Sequence, residues 1–416
     1  MPWRIRRRLL LVVSLLAMIG CSRRPSTVLA PHAIPSGKSE RQDFGTWQTA
    51  IKPIEWLPEN SSFDAEFGGA VAYDGESLFV GGAARKPGML SGIYVFATVR
   101  DGMDVATELR WRGRYVVRGG RTRIGQRVVA CNRGFVATTE VGVGLWFQQV
   151  HGEWKLTQRI AETARDLGSE VLACTDRRAV FACGKEAREA CFFDLKDGSW
   201  FLRGRVALTS RALSATLHAS VAAIGGKDQV EIIDSGSLVR VSSLAVPGNV
   251  WAVAMNERYI FVASNAVGQN VIAFRLVDGD WKWAYELPDT EVAVELKLSG
   301  PVLLAGSSSA DSHYPEKGEV AVFHDSGTMW RRVGLIFPGR IPSSEALFGS
   351  SLDLSHGDLV VAAPGMSRAP PAVYLIDLTL VEAAHRNEET WESIAHKWVS
   401  PVFYQGFVPG GGGQPF

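Results

Sequence analysis

The chain repeats one pattern of short strands about every forty residues between Phe67 and Asp377, which limits the fold to a few repeat architectures. In the first copy, apolar strands lie at Phe67–Gly75, Ser77–Gly82, Gly92–Thr98 and Leu109–Trp111, and turn residues separate them. Short strands joined by tight turns are typical of an antiparallel meander. Each copy is therefore predicted to form a four-stranded antiparallel sheet.

The pattern recurs six more times, and the seventh copy lacks an evident fourth strand. The later copies begin at Gly125, Gly168, Leu213, Trp251, Val292 and Phe348. Four-stranded units with this period predict an all-β chain folded as a seven-bladed β-propeller, because closing a ring of sheets protects their edges. Small residues in the first strands, such as Gly68-Gly69-Ala70, suit strands that crowd around an axis.

Two segments are candidates for the missing fourth strand of the seventh copy. Gly45–Ile51 resembles the strand that begins at Gly152-Glu153-Trp154, and Glu389–Ile394 contains a similar Thr-Trp pair. We prefer the N-terminal segment, because it would join the two ends of the chain in one sheet. The segment that is not used would then be an addition on the surface.

A tryptophan opens the predicted fourth strand in several copies. His151-Gly152-Glu153-Trp154 and Asp278-Gly279-Asp280-Trp281 are examples. His-Gly and Asp-Gly steps suit tight turns that need a positive φ. A large ring at the start of the outermost strand can cover the gap between diverging sheets. These tryptophans therefore predict packing between sheets rather than a ligand cage.

The N-terminus has the layout of an export signal. Arg4–Arg8 provide a positive start and Leu9–Ile19 a short apolar stretch, which is too short to span a membrane. Ala17-Met18-Ile19-Gly20-Cys21 resembles a bacterial lipobox. That resemblance implies a lipoprotein signal peptide at 1–20, lipidation of Cys21, and a membrane-anchored protein of the bacterial cell envelope that faces the periplasm or the exterior. An ordinary signal peptide with an accidental cysteine is the alternative.

The sequence divides the remainder into three parts. Residues 21–43 are rich in Ser, Pro, Arg and Gly, which is typical of a flexible tether behind the lipidated cysteine. Residues 44–380 carry the repeats. Residues 381–416 form a C-terminal extension whose tail, with Gly410–Gly413, is predicted to be disordered.

Two of the repeats resemble a known family. Phe67-Gly68-Gly69-Ala70 with the following Leu78–Ala83, and Phe348-Gly349-Ser350-Ser351 with Leu359–Gly365, are similar to FG-GAP repeats of integrin-α-type propellers. The resemblance implies a seven-bladed propeller that serves as an extracellular recognition surface. Many such repeats carry a calcium loop, but this chain has no matching run of acidic residues. Asp311–Glu316 is the nearest acidic loop and lacks the spacing, so no bound metal is predicted.

Four cysteines remain after Cys21 is assigned to lipid. Cys183 and Cys191 flank one short loop and would face each other across a hairpin, whereas Cys131 and Cys174 hold the same position in neighbouring repeats. An exported chain permits two disulfides, and four cysteines allow three pairings. We favour Cys183–Cys191 over Cys131–Cys174, because the distance between sheets would strain the second bridge. All four could instead be small buried apolar residues.

The sequence shows no recognisable catalytic constellation. The eight histidines are scattered, and neither a nucleophile elbow nor a phosphate-binding loop is present, so we predict a non-enzymatic protein without a cofactor. Four of the 44 basic residues lie in the first eight residues against 43 acids in all, so the mature chain is slightly acidic and nucleic acid is not an expected partner. Paired carboxylates of a polysaccharide hydrolase would come from different repeats, which keeps that alternative open.

Binding is therefore the predicted function, as a monomeric module that contacts a protein or a glycan of the cell envelope. Two long insertions join second and third strands and lie on one face. Their candidate contact residues are Arg85, Lys86, Met89, Leu90, Asp311, His313, Tyr314 and Glu316. A scaffold lipoprotein for envelope assembly is a second interpretation of the same features.

Overall fold

The computed structural model describes residues 47–51, 65–84, 92–100, 107–116, 124–131, 133–139, 142–160, 172–266, 270–290, 293–308, 318–338, 347–364, 372–378 and 399–403. All of them belong to a unit that spans Gly45–Phe416. Within these ranges, no helix has the length and the apolar character that crossing a bilayer requires.

The described strands form six hydrogen-bonded sheets. Strand β1 (Trp47–Ile51) joins a later sheet. The first sheet contains β2 (Ala65–Tyr73), β3 (Ser77–Ala84), β4 (Gly92–Arg100) and β5 (Thr107–Val116). The second contains β6 (Ile124–Cys131), β7 (Gly134–Thr139), β8 (Gly144–Val150) and β9 (Glu153–Arg159). The third contains β10 (Leu172–Cys174), β11 (Arg178–Cys183), β12 (Glu189–Lys196) and β13 (Ser199–Ala207), with a 3₁₀ turn at Lys185–Ala187.

The fourth sheet has seven strands because one long strand belongs to two meanders. It contains β14 (Ser214–His218), β15 (Val221–Gly225), β16 (Lys227–Asp234), β17 (Val239–Met255), β18 (Tyr259–Ser264), β19 (Val271–Val277) and β20 (Asp280–Leu287). The first part of β17 pairs with β16 and its last part pairs with β18. The sequence pattern placed two separate strands here.

The last two sheets complete the order. One contains β21 (Glu295–Ser299), β22 (Val302–Ser307), β23 (Glu319–Asp325), β24 (Trp330–Pro338) and β1. The other contains β25 (Ser351–Ser355), β26 (Asp358–Ala363), β27 (Ala372–Asp377) and β28 (Val399–Phe403). We number the four-stranded meanders as units 1 to 7, beginning at β2, β6, β10, β14, β17, β21 and β25.

The apolar residues lie between successive units. Each apolar cluster in the described part of the chain joins two neighbours, from units 1 and 2 to units 6 and 7. A further cluster joins unit 7 to unit 1 through residues such as Val71, Leu78 and Val360. Second strands such as β7 and β26 are buried throughout, whereas the outer strand β9 alternates between exposed and half-buried residues. Because the second strands are buried on both faces, their sequences are continuous apolar runs.

A β-bulge recurs between the third and fourth strands of units 1 to 6. One residue of each outer strand is left without a partner in the register: Arg112, Thr157, Arg203, Val241, Ala284 and Val333. A bulge bends its strand and increases the local twist. Its recurrence at one place shows that these units are structurally equivalent, although their sequences have diverged.

The glycines of the repeat motif allow close approach between units. A Cβ on Gly81 would lie 2.1 Å from the carbonyl oxygen of Gly125, and one on Gly306 would lie 2.3 Å from that of Gly349. Gly125 and Gly349 both have a φ of +86°. Backbone therefore packs against backbone at these points, and only glycine fits there.

We predicted that the N-terminal segment provides the fourth strand of unit 7, and this prediction is wrong. Strand β1 pairs with β24 in parallel, with Trp47 opposite Gly334, whereas β28 pairs antiparallel with β27. The strand-like pattern of residues 47–51 indicated a strand but could not say which edge it meets, and the outer edge of β24 offers unpaired backbone groups. Strand β28 lies beyond residue 380, where we expected the repeats to end. The rival segment, residues 389–394, lies outside the described residues.

Candidate functional site

The first strands of all seven units surround a cavity of about 320 Å³. Its lining includes residues of β2, β6, β10, β14, β17, β21 and β25. These strands contact one another in chain order, and β25 also contacts β2. Small residues such as Ala70 and Ala173 line parts of this cavity, as the pattern of small first-strand residues predicted.

An ion pair crosses the cavity. Arg127 lies on β6 of unit 2 and Glu295 lies on β21 of unit 6, and their Nη1 and Oε2 atoms are 3.0 Å apart. The two units are not neighbours in the contact order of the first strands. The side chain of Glu295 is 13% exposed and that of Arg127 is 32% exposed, so the pair is partly shielded from water. This pair links opposite sides of the cavity.

A second ion pair lies beside the first. Lys297 Nζ is 3.5 Å from Asp353 Oδ1, which links units 6 and 7. Burial alone would lower the pKa of Lys297, but the carboxylates of Asp353 and Glu295 outweigh burial and raise that pKa above its ordinary value. The charged lysine therefore stabilises the fold at every pH below its ordinary pKa, and this contribution is lost as the pH rises through the raised pKa.

Side chains of unit 7 also form hydrogen bonds with the strand β2. The Tyr73 amide donates to Asp353 Oδ2 over 2.7 Å, and the Val71 amide donates to Ser351 Oγ over 3.1 Å. The Tyr73 hydroxyl lies 2.9 Å from Asp358 Oδ2, which adds a third polar contact between units 1 and 7. These contacts join units that come from opposite ends of the repeat region, and none of the described strands is exchanged between them.

We expect Asp353→Ala to lower the free energy of unfolding by about 2 kcal/mol, because it leaves the Tyr73 amide without its charged acceptor. Asp353→Asn should cost less, since the amide oxygen can still accept that hydrogen bond. Urea unfolding followed by tryptophan fluorescence measures the difference. Thr216→Ala is the matched control, because Thr216 follows Ser214 on β14 as Asp353 follows Ser351 on β25. Equal midpoints for Asp353→Ala and Thr216→Ala would show that this contact adds no stability.

Sequence reasoning missed the four charged residues of the cavity. A signal was present, since Arg127, Glu295, Lys297 and Asp353 are charged residues in first strands that are rich in small and apolar residues. The pattern could not pair them, because Arg127 and Glu295 are 168 residues apart in sequence.

The structure places both predicted cysteine pairs at bonding distance. Cys183 and Cys191 are joined at 2.07 Å between the sulfurs, and Cys131 and Cys174 are joined at 2.10 Å. The Cα atoms are 5.9 Å apart in each pair, which lies within the ordinary range. The distance between sheets, which we expected to disfavour Cys131–Cys174, therefore does not prevent it. That bridge links unit 2 to unit 3.

Cys21 and the contact candidates at 85–90 and 311–316 lie outside the described residues. The strands that bound those two insertions, β3 with β4 and β22 with β23, are described on either side of them. Over the ranges that the structure covers, no group of three or more His, Cys, Asp or Glu side chains is arranged to hold a metal ion.

Comparison with known proteins supports the fold. No family model matches the chain, and no curated protein is similar in sequence. Among solved structures, the WD40 domain of Neurospora crassa Pan2 matches with a TM-score of 0.52 at 10% identity, over 75% of this chain and 91% of that one. A chain of the Mitotic Checkpoint Complex matches with a TM-score of 0.50 at 13% identity, over 74% and 89%. The protein is thus an all-β chain that is similar in fold to WD40 β-propellers.

Proposed function

We propose that the chain is a closed, seven-bladed, FG-GAP-like propeller that acts as a non-catalytic binding module of the bacterial cell envelope. The observation that carries the proposal is the cyclic contact order of the seven first strands, together with the apolar cluster that joins units 7 and 1. Such a ring holds its strands rigidly and leaves its loops to contact partners.

The ion pairs formed by the carboxylates of the cavity favour binding over catalysis. Each carboxylate in the cavity has a structural partner: Glu295 pairs with Arg127, and Asp353 pairs with Lys297 and accepts the Tyr73 amide. The similar chain in the Mitotic Checkpoint Complex belongs to a multi-protein assembly, which fits the use of this architecture for binding. The partner that we propose is a protein or a glycan of the envelope, bound by a monomeric propeller.

The location rests on the N-terminus and the cysteines. The positive start, the apolar stretch and the lipobox-like Ala17–Cys21 favour export followed by lipidation of Cys21. Two disulfides in the body suit an oxidising compartment. The segment 22–43 would then tether the propeller to the membrane, and β1 would be the first strand after the tether.

The test uses tagged, full-length protein in its own cells. We expect wild-type protein in the membrane fraction and Cys21→Ser in the soluble fraction or unprocessed. Crosslinking in intact cells should recover one dominant envelope component with the wild type. A Cys21→Ser protein that still fractionates as a processed, lipidated form would overturn the anchor. If the recovered component is outer-membrane assembly machinery, the scaffold interpretation is favoured.

A polysaccharide hydrolase is the second candidate, because two carboxylates, Glu295 and Asp353, reach the same cavity. Glycosidases use one carboxyl group as an acid and the other as a base or nucleophile. In this cavity both carboxylates are engaged by cations, which argues against an acid catalyst. Release of reducing ends from envelope polysaccharide by the wild type, lost in Glu295→Gln, would favour the hydrolase instead.

A further inference from the structure

One large aromatic side chain lines the cavity between the first strands, here called the axial cavity, and remains exposed. Trp251 lies on β17, where Val250 pairs with Ser264 and Ala252 pairs with Ala263, so Trp251 is the unpaired residue of a β-bulge. It is 43% exposed, although it belongs to the cavity lining. Bulges often redirect a side chain beside a functional site.

The equivalent positions in the described strands of other units carry no aromatic residue. By the pairing of first and second strands, the equivalents of Trp251 in units 1, 2, 4, 6 and 7 are Gly69, Gln126, Leu213, Val294 and Ser350. Packing between units therefore does not require a tryptophan at this position. First strands begin on the face where the second strands end, because the two strands are antiparallel. A partly exposed tryptophan at this end of the cavity is suited to contact a ligand.

The charges of the cavity cancel. Its described lining contains two cations, Arg127 and Lys297, and two anions, Glu295 and Asp353, arranged as two pairs. Such a lining offers many polar contacts but gives no net attraction to an anion or a cation. A cavity of about 320 Å³ is at the lower end of the range for small-molecule sites.

Hydroxyl groups complete a lining that both donates and accepts hydrogen bonds. Ser214 Oγ donates to the Val250 carbonyl over 3.1 Å, so the oxygen can still accept a hydrogen bond through its lone pairs. Ser351 Oγ accepts from the Val71 amide, so its proton is available to donate. A sugar hydroxyl is both a donor and an acceptor, and it can match both serines. The apolar face of a sugar ring can pack on an indole ring.

We propose that the axial cavity binds one residue of a neutral carbohydrate, with Trp251 against the sugar ring and Glu295, Ser214 and Ser351 contacting its hydroxyl groups. The inference rests on the proposed function as a binding module and names its ligand class. The carbohydrate enters from the face on which the first strands begin, and the paired charges hold the polar groups in fixed positions before it binds.

The test is titration of full-length protein, purified in a detergent without a sugar headgroup, with a panel of neutral and charged sugars. The panel contains glucose, galactose, mannose, N-acetylglucosamine, cellobiose and chitobiose, with glucuronic acid and glucosamine as charged members. We expect saturable binding of at least one neutral sugar, in the millimolar range or tighter, by calorimetry. Trp251→Ala should weaken that binding by about tenfold or more, and Trp251→Phe should weaken it less.

Trp283→Ala is the matched control, because Trp283 is 60% exposed on the outer strand β20 and lies outside the cavity lining. Circular dichroism checks that each variant is folded. Absence of binding to every sugar, equal binding by Trp251→Ala, or preference for a charged sugar would overturn the proposal. A protein partner captured in cells without any sugar binding would remove this inference and leave the proposed function standing. Turnover of a bound sugar would instead remove the non-catalytic function and leave the site.

Discussion

Replacing Cys131 and Cys174 together by alanine is expected to lower the free energy of unfolding by about 4 kcal/mol, because the bridge spans 43 residues and restricts the unfolded chain. The same replacement of Cys183 and Cys191 should cost about 2.5 kcal/mol, since that bridge spans only 8 residues. The longer bridge also connects two units, whereas the shorter one stays within unit 3.

Urea unfolding of the oxidised proteins, followed by fluorescence, measures both effects, and thiol titration of unfolded protein verifies the bridges. Wild-type protein treated with reductant should lose about as much stability as the protein without all four cysteines. Reductant should leave the protein without all four cysteines unchanged. If both double variants have the same midpoint as the wild type, the bridges do not contribute to the stability of the folded protein.

The architecture was predictable because it is a local property repeated many times. Each unit carries its own alternation and turns, so a weak signal in one copy is supported by the others. The strands of the first unit, for example, lie within a few residues of the predicted segments. The register of the outer strands was not predictable, because the bulges at Arg112 and Val333 depend on how the sheets twist and pack rather than on a sequence signal.

The candidate site escaped prediction for a different reason. Arg127 and Glu295 meet only because the first strands of units 2 and 6 face the same cavity, and that juxtaposition depends on the whole arrangement of units. Trp251 begins the fifth copy of the repeat, and the sequence pattern did not distinguish its exposed side chain from a buried tryptophan such as Trp200, which is 2% exposed. The bulge that leaves Trp251 unpaired in β17 has no signal in the sequence.

The structural role of the outer-strand tryptophans follows from Trp330. This side chain is 1% exposed between units 5 and 6, with its ring edge-on to Tyr259 and Phe261 at centroid distances of 6.2 and 5.1 Å. We expect Trp330→Ala to lower the free energy of unfolding by about 4 kcal/mol, because it removes buried aromatic contacts and leaves a cavity between two sheets. Trp283→Ala, on the neighbouring outer strand, should change it by less than about 0.5 kcal/mol, because Trp283 is 60% exposed.

Trp330→Phe separates packing from hydrogen bonding. The indole N–H of Trp330 is buried without an acceptor among the described residues, so phenylalanine loses no hydrogen bond and removes a polar group that burial penalises. The phenylalanine variant should therefore retain most of the stability that the alanine variant loses. The unfolding midpoints of Trp330→Ala, Trp330→Phe, Trp283→Ala and the wild type measure these differences in stability. Equal losses for Trp330→Ala and Trp283→Ala would show that the tryptophan does not cover the gap between units 5 and 6.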